Sequence, residues 1–467
     1  MSLSYTWKNF ADVGRAIRDR AAWEQRERWP RERLHDWQRA RLADLVEHAS
    51  TSTPFYRAHY GGPVAGDEVR LESLPIVTKA AMMDHLDDFF ADRRLTRESL
   101  ERHLQSLGER DELLLGQYRV MASSGSSGRK GIYVYDRAAW SEFLGGAMRF
   151  SRMMGLSPRL PRRCMAQVAA PDVKHMTCRG GASISVGAFR AIRLSATMPI
   201  DELVAALNRH RPDALTGYPS ILALLADEQI AGRLRIAPAT ISTTSEVRTD
   251  AMTARIREAW DVEPFNCLGL TETGITAIDC ELHAGMHVFE DACIFEVVDE
   301  QNQPVPAGTP GHKVLVTNLY NRAQPFIRFE ITDLVTVTDE PCACGRTFRR
   351  ITAIEGRSDD ILELPSAAGG IVRVHPIQIR SPLAAMPAVS QYQITQVAGG
   401  LDVALALAPG AAADETALAV ESTLRAKLAG LGCAVLHVRV SVVAHIEREA
   451  GAGKLKLIKK APIREAA

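Results

Sequence analysis

Apolar and aromatic positions recur at helical spacing from about residue 13 to 50, where Trp23, Trp29, Leu34, Trp37, Leu42 and Leu45 punctuate a charge-rich background. The spacing predicts helices packed on one face. From about residue 112 strand-like runs, LLLGQYRVMAS and IYVYD, precede a helix-like run, AAWSEFLGGAMRFSRMMG, and the alternation predicts α/β layers. Beyond Gly356, short β-like runs (DVALALA and AVLHVRVSVV) flank a helix from about Asp414 to Leu431, with Leu418, Leu424, Leu428 and Leu431 as its apolar face. The polar, turn-forming stretch Gly356-Arg357-Ser358-Asp359-Asp360 marks a boundary. The expected organisation is a helical region over residues 1–110, an α/β core over 111–356 and a small α+β domain over 357–467. No repeat of solenoid period is present.

A chain of 467 residues has room for two or three domains with a cleft between them. Lysine plus arginine equals aspartate plus glutamate at 56 each, so no basic excess points to nucleic acid or an anionic membrane. A small-molecule substrate is the expectation. The first twenty residues hold no apolar segment of the secretory kind and no apolar run reaches membrane-spanning length, which predicts a cytoplasmic protein. Eight cysteines at irregular spacing do not form a disulfide framework, leaving reduced thiols or metal ligands.

The segment richest in chemistry is Ser123-Ser124-Gly125-Ser126-Ser127-Gly128-Arg129-Lys130-Gly131, set between two strand-like runs. Its backbone N–H groups, hydroxyls and two cations suit an anion, and phosphate above all. A Walker A loop requires G-x-x-x-x-G-K-[ST], a spacing absent here, which disfavours a kinase or GTPase.

This loop resembles the SSG-[ST]-[ST]-G phosphate-binding motif of the adenylate-forming superfamily (acyl-CoA synthetases, adenylation domains, luciferases), and in particular its phenylacetate-CoA ligase-like branch. Four further segments follow in the family's order. Leu268-Gly269-Leu270-Thr271-Glu272 is similar to the Y-G-x-[ST]-E segment, which implies that Thr271 meets the α-phosphate and Glu272 holds Mg²⁺. Arg328 to Asp333, RFEITD, resembles the segment whose terminal Asp binds the ribose hydroxyls. Gly356 to Asp360 resembles the G-R-x-D-D hinge, which implies Arg357 on ribose or phosphate and Asp359 as pivot. Gly453-Lys454 is similar to the segment whose lysine bridges the acid's carboxylate and the α-phosphate.

The resemblance implies a large α/β adenylate-forming domain with a helical N-terminal extension and a small mobile α+β C-terminal domain. It implies that ATP and Mg²⁺ convert an acid, expected to be an aromatic carboxylic acid, into an acyl-adenylate, with Lys454, Glu272 and Thr271 catalytic and CoA as the acceptor. An amine, a carrier-protein thiol or nitrite chemistry stays open, as does a non-catalytic homologue acting as a binding protein, and homodimerisation is left open. The resemblance also sets Ser245-Glu246 beside the nucleotide, and Tyr218, Gly269 and His175 at the acid pocket. Two departures stand out. Leu268 occupies the position of an adenine-stacking aromatic residue, and Gly131 replaces a proline, giving an expectation of a looser turn.

Cys280-Glu281-Leu282-His283 and Cys342-Ala343-Cys344 together offer three thiolates and an imidazole, a ligand set that suits structural zinc. His287 is an alternative ligand or a pocket residue.

Overall fold

The computed structural model describes residues 3–66, 69–107, 112–123, 131–157, 160–170, 172–184, 189–384, 386–408, 410–434, 437–449 and 453–460. Ser124, Gly125, Ser126, Ser127, Gly128 and Lys130 of the phosphate-loop motif lie outside the described residues.

Two long helices open the chain, Leu3–Arg26 and Arg31–Ser52. Trp23, Leu34, Leu42 and Leu45 are buried in them, as their spacing requires, whereas Trp29 and Trp37 are half-buried, packed edge to face and covered by the guanidinium groups of Arg33 and Arg26. Arg119–Ala122 and Ile132–Tyr135 form an antiparallel ribbon that brackets the phosphate-loop motif.

A nine-stranded sheet carries the centre of the molecule. Phe189–Ser195, Arg163–Ala169, Ala214–Gly217, Thr240–Thr244 and Phe265–Leu270 lie side by side in parallel. Helices Met176–Ile184, Ile200–His210, Pro219–Ile230 and Asp250–Trp260 make the crossovers. At Phe265–Leu270 the chain reverses: Gly274–Asp279, Met286–Val288, Arg350–Arg357 and Asp333–Thr338 continue the sheet antiparallel. From Arg163–Ala169 the strand order runs to Phe189–Ser195 on one side and to Ala214–Gly217 on the other, and open α/β sheets place ligands outside the carboxyl ends of the strands at such a switch point. One core unites the N-terminal helices, the ribbon and the middle of this sheet, and a second lies between the parallel strands and their crossover helices.

A separate core runs from Leu362 to Ile458. It belongs to a four-stranded sheet in the order His437–Val442, Gly400–Leu407, Val389–Val397, Ile458–Lys460, backed by the helix Ala413–Gly430. That helix buries Thr416, Val420, Leu424 and Leu428, an unbroken i,i+4 row. The expected apolar face is corrected in two places: Leu418 is 67% exposed, two positions off the row, and Leu431 is only half-buried, past the end of the helix. Among the described residues no helix is long and apolar enough to cross a membrane.

Candidate active site

A cavity of about 630 Å³ opens between the part of the chain built on the nine-stranded sheet, here called the large domain, and the part built on the four-stranded sheet, here called the C-terminal domain. Ser123, His175, Tyr218, Ser245, Glu246, Leu268, Gly269, Thr271, Glu272, Asp333, Arg357, Asp359 and Lys454 all line it.

Thr271 and Glu272 sit at the tip of the hairpin between Phe265–Leu270 and Gly274–Asp279. Three tyrosines hold that tip. Tyr135 donates to the Thr271 carbonyl (2.9 Å), Tyr320 to the Thr273 carbonyl (2.8 Å), and Tyr133 to Glu272 Oε1 (2.7 Å). Burial raises the Glu272 carboxyl above the usual range, while the Tyr133 hydrogen bond and the nearby Lys79 and Arg357 cations pull the other way. A buried carboxylate oxygen oriented by a tyrosine and lining the cavity has the hard-oxygen character that Mg²⁺ requires.

Ser123 and Gly131 close the base of the phosphate-loop motif: Ser123 N–H donates to the Gly131 carbonyl (3.0 Å), and Gly131 N–H donates to Ser123 Oγ (3.1 Å). Gly131 gives the neighbouring ring room, because a Cβ there would lie 2.6 Å from the Tyr133 hydroxyl. The position therefore protects the residue that orients Glu272. Lys79 Nζ donates to Ser123 Oγ (3.2 Å) and lines the same cavity. Burial lowers its pKa, with Arg357 acting in the same direction and Glu272 and Asp359 opposing. No motif marks Lys79 in the sequence. Its one local signal is Thr78, whose side chain caps the short helix Lys79–Asp84 and fixes where the lysine begins.

Asp333 and Arg357 face each other across neighbouring strands, with Arg357 Nε 3.1 Å from Asp333 Oδ1. Asp359, just after Arg357, accepts from Thr332 Oγ1 (3.1 Å). Arg328, at the start of the RFEITD segment, is a strut: it pairs with Glu296 at 3.0 Å and donates to the carbonyls of Glu72 and Leu74.

Lys454 reaches this site from the C-terminal domain. Gly453 has φ +67°, and a Cβ there would stand 3.1 Å from Thr197 and 3.3 Å from Ala196 of the large domain, so glycine permits both the turn and the approach. Burial, then Arg357, lowers the Lys454 pKa, with Glu246, Glu449 and Asp333 opposing.

Glu246 lines the cavity and is held by protein groups. Ser245 turns the chain with φ +68°, and both Glu246 oxygens are engaged by protein: Oε1 accepts from Leu455 N–H (2.5 Å) and Oε2 from Ser220 N–H (3.2 Å). Tyr218 is buried, and its hydroxyl accepts from Ala170 N–H (3.0 Å), so packing defines much of its role. Leu268 is half-buried and lines the cavity. Phe150, Met154, Met165, Met176 and Ala191 are apolar residues of the same lining.

About the cysteines the histidine assignment changes. Cys280, His287, Cys342 and Cys344 present ligand atoms within 4.8 Å of one another. Cys280 Sγ is 3.9 Å from Cys342 Sγ, and Cys344 Sγ is 3.3 Å from His287 Nε2. His287 Nδ1 lies 3.1 Å from the Phe348 carbonyl, which can only accept, so the proton sits on Nδ1 and Nε2 offers a lone pair. Burial pushes His287 down to about 4, leaving the ring neutral near pH 7. His283 is outside the group: its ring packs against Phe265 at 4.3 Å and its Nδ1 is 3.8 Å from Asp279. Spacing favoured C-x-x-H, but the turn at His283 (φ 49°) carries that ring away, and the strand Met286–Val288 delivers His287.

No protein-family model matches the chain. It is 28% identical over 386 residues to a phenylacetate-coenzyme A ligase of Thermus thermophilus, covering 78% of each protein. A crystal structure of a 2-hydroxyisobutyryl-CoA ligase in the postadenylation state, in complex with R3-HIB-AMP, superimposes with a TM-score of 0.73 at 21% identity, covering 94% of this chain and 92% of the other. A structure of that ligase with 2-HIB-AMP and CoA in the thioesterification state gives 0.57 at 21% identity, covering 94% and 91%. Ordered motifs, sequence identity and architecture converge: this chain is a relative of the phenylacetate-coenzyme A ligases and has the fold of the adenylate-forming CoA ligases.

Proposed function

We propose that the protein is an AMP-forming acid:CoA ligase that activates a carboxylic acid with an apolar, aromatic-sized body. The observation that carries the reading is that Lys454, a residue of the C-terminal domain, lines one cavity with Ser123, Glu272, Asp333 and Arg357 of the large domain. The same lining holds apolar side chains suited to the body of an acid and charged ones suited to a nucleotide.

In the first step a carboxylate oxygen attacks the α-phosphorus of ATP, and the bond to pyrophosphate breaks. Two anions must approach, so the protein's work is charge cancellation and alignment. Lys454 neutralises the carboxylate and the α-phosphate, Asp333 accepts from the ribose hydroxyls, and Thr271 orients the α-phosphate. Lys79 and the Ser123 end of the loop receive the departing phosphates. Glu272 would hold Mg²⁺, which when bound supplies further neutralisation of phosphate charge. In the second step the CoA thiolate attacks the acyl carbon and AMP leaves. Rotation about Asp359 withdraws Lys454 and admits the thiol.

Cys280, His287, Cys342 and Cys344 form a structural zinc site on this reading. Four protein ligands leave no open position for chemistry.

ATP–pyrophosphate exchange over a panel of aromatic and aliphatic acids tests the assignment, with thioester formation measured on adding CoA. Exchange is expected with an aromatic acid and lost in Lys454→Ala. No exchange with any acid, or equal exchange by the variant, would refute it.

A further inference from the structure

Seating Lys454 carries an electrostatic cost: the ammonium is buried next to Arg357, and both effects disfavour its charge. Something must hold Gly453, Lys454 and Leu455 against the large domain. Several hydrogen bonds between the two domains lie at that place.

Glu246 and Ser220 belong to the large domain, whereas Gln391, Arg448, Gly453 and Leu455 belong to the other. Glu246 Oε1 accepts from Leu455 N–H, the amide next to Lys454, at 2.5 Å. Oε2 accepts from Ser220 N–H at the N-terminus of the helix Pro219–Ile230, where negative charge is favoured. Arg448 Nη1 donates to Ser220 Oγ (2.9 Å) and to the Gly453 carbonyl (3.0 Å), and lies 3.7 Å from Glu246 Oε1. Gln391 Nε2 donates to the Ser220 carbonyl at 3.0 Å. The Glu246 and Arg448 side chains are only 6% and 12% exposed. Glu449 N–H donates to the Lys454 carbonyl and Gly453 N–H to the Glu449 carbonyl, both at 2.9 Å, so tethering Leu455 and Gly453 tethers the lysine.

We propose that Glu246 is a positioning residue for acid adenylation: with Ser220 and Arg448 it latches the Lys454 turn onto the large domain, and the latch exists only in the adenylating arrangement of the domains. The inference rests on the ligase reading above. The Leu455, Arg448 and Gly453 partners move with the C-terminal domain, so rotation dissolves the latch. The closer superposition on a postadenylation state (0.73) than on a thioesterification state (0.57) agrees with a closed latch here. A nucleotide ligand would serve both half-reactions; a latch serves one.

The test separates the half-reactions in Glu246→Ala, Glu246→Gln, Arg448→Ala and the Glu246→Ala/Arg448→Ala double variant, using an acid that supports exchange in the wild type. Loss of a buried charge-assisted hydrogen bond predicts that Glu246→Ala exchanges about 10- to 100-fold more slowly, with the KM for ATP nearly unchanged. Glu246→Gln is expected to fall in between, because its amide oxygen still accepts from Leu455. Thioester formation from chemically prepared acyl-adenylate and CoA should stay at the wild-type rate in every variant, which also reports intact folding. The double variant should be no slower in exchange than the slower single variant, as expected for one shared device. Unchanged exchange in Glu246→Ala, a matching loss in the thioester step, or a raised KM for ATP without loss of kcat would overturn the latch. Wild-type protein inert with every acid would refute the ligase reading itself.

Discussion

Tyr133 donates a 2.7 Å hydrogen bond to Glu272, joining the strand after the phosphate loop to the acidic hairpin tip. One hydroxyl thus couples two motifs more than a hundred residues apart in sequence.

Removing that hydroxyl in Tyr133→Phe leaves the ring and its packing against Phe326 in place. The oxygen it orients is the one expected to meet Mg²⁺, and outer partners of metal ligands are commonly worth about 10- to 100-fold in affinity. The Mg²⁺ concentration for half-maximal exchange should rise by about tenfold or more, with little change in KM for the acid. A magnesium titration of the exchange rate checks this, and an unchanged midpoint would count against Glu272 as the metal ligand.

Lys454 sets an alkaline limit. Its pKa is lowered by burial and then by Arg357, so the cationic form that adenylation needs is lost as pH rises through a value below that of an ordinary lysine. Stability follows the opposite sign: the fold carries the full penalty of the charged group below the lowered pKa and is relieved as pH rises. Arg357→Gln, though slower overall, should move the alkaline limb of the exchange profile to higher pH. A limb that stays fixed would mean that another group sets it.

Lys79 donates to Ser123 Oγ at the base of the phosphate loop. Lys79→Ala should raise the KM for ATP by about tenfold, the scale of a lost hydrogen bond to a charged partner, and leave the KM for the acid unaltered. Steady-state kinetics with each substrate varied in turn distinguishes this from a general loss of activity.

His287 and His283 can be told apart by metal content. His287→Gln should lower bound zinc well below one per chain and reduce thermal stability, whereas His283→Gln should leave zinc unchanged. Elemental analysis with parallel melting curves reads both, and equal loss in the two variants would dissolve the assignment.

Much of the site was legible because its residues sit in short motifs whose chemistry is local. Glu272 follows a strand and Asp333 begins one, Arg357 ends a strand, and Lys454 follows the glycine that its turn requires. Lys79, Tyr133 and Arg448 were not legible. Each works through a partner brought close by folding, and none carries a motif of its own. Glu246 was set near the nucleotide by resemblance, and the amides from two domains that its carboxylate accepts from were not legible. The expected burial of Leu418 fails because apolar character alone does not say which side of a helix meets the sheet; the row through Val420 and Leu424 does.

By itself the sequence determined the alternation of elements, the change of character after Gly356 and the order of the motifs, since periodicity and turn chemistry act between near neighbours. Tertiary structure alone decided which histidine joins the cysteines, which hydroxyl orients Glu272, and that Glu246 binds the turn bearing Lys454. These depend on where strands and domains meet, and the physical reason is that a side chain's hydrogen bonds are chosen by the groups within about 3 Å of it once water is excluded, whatever their distance along the chain.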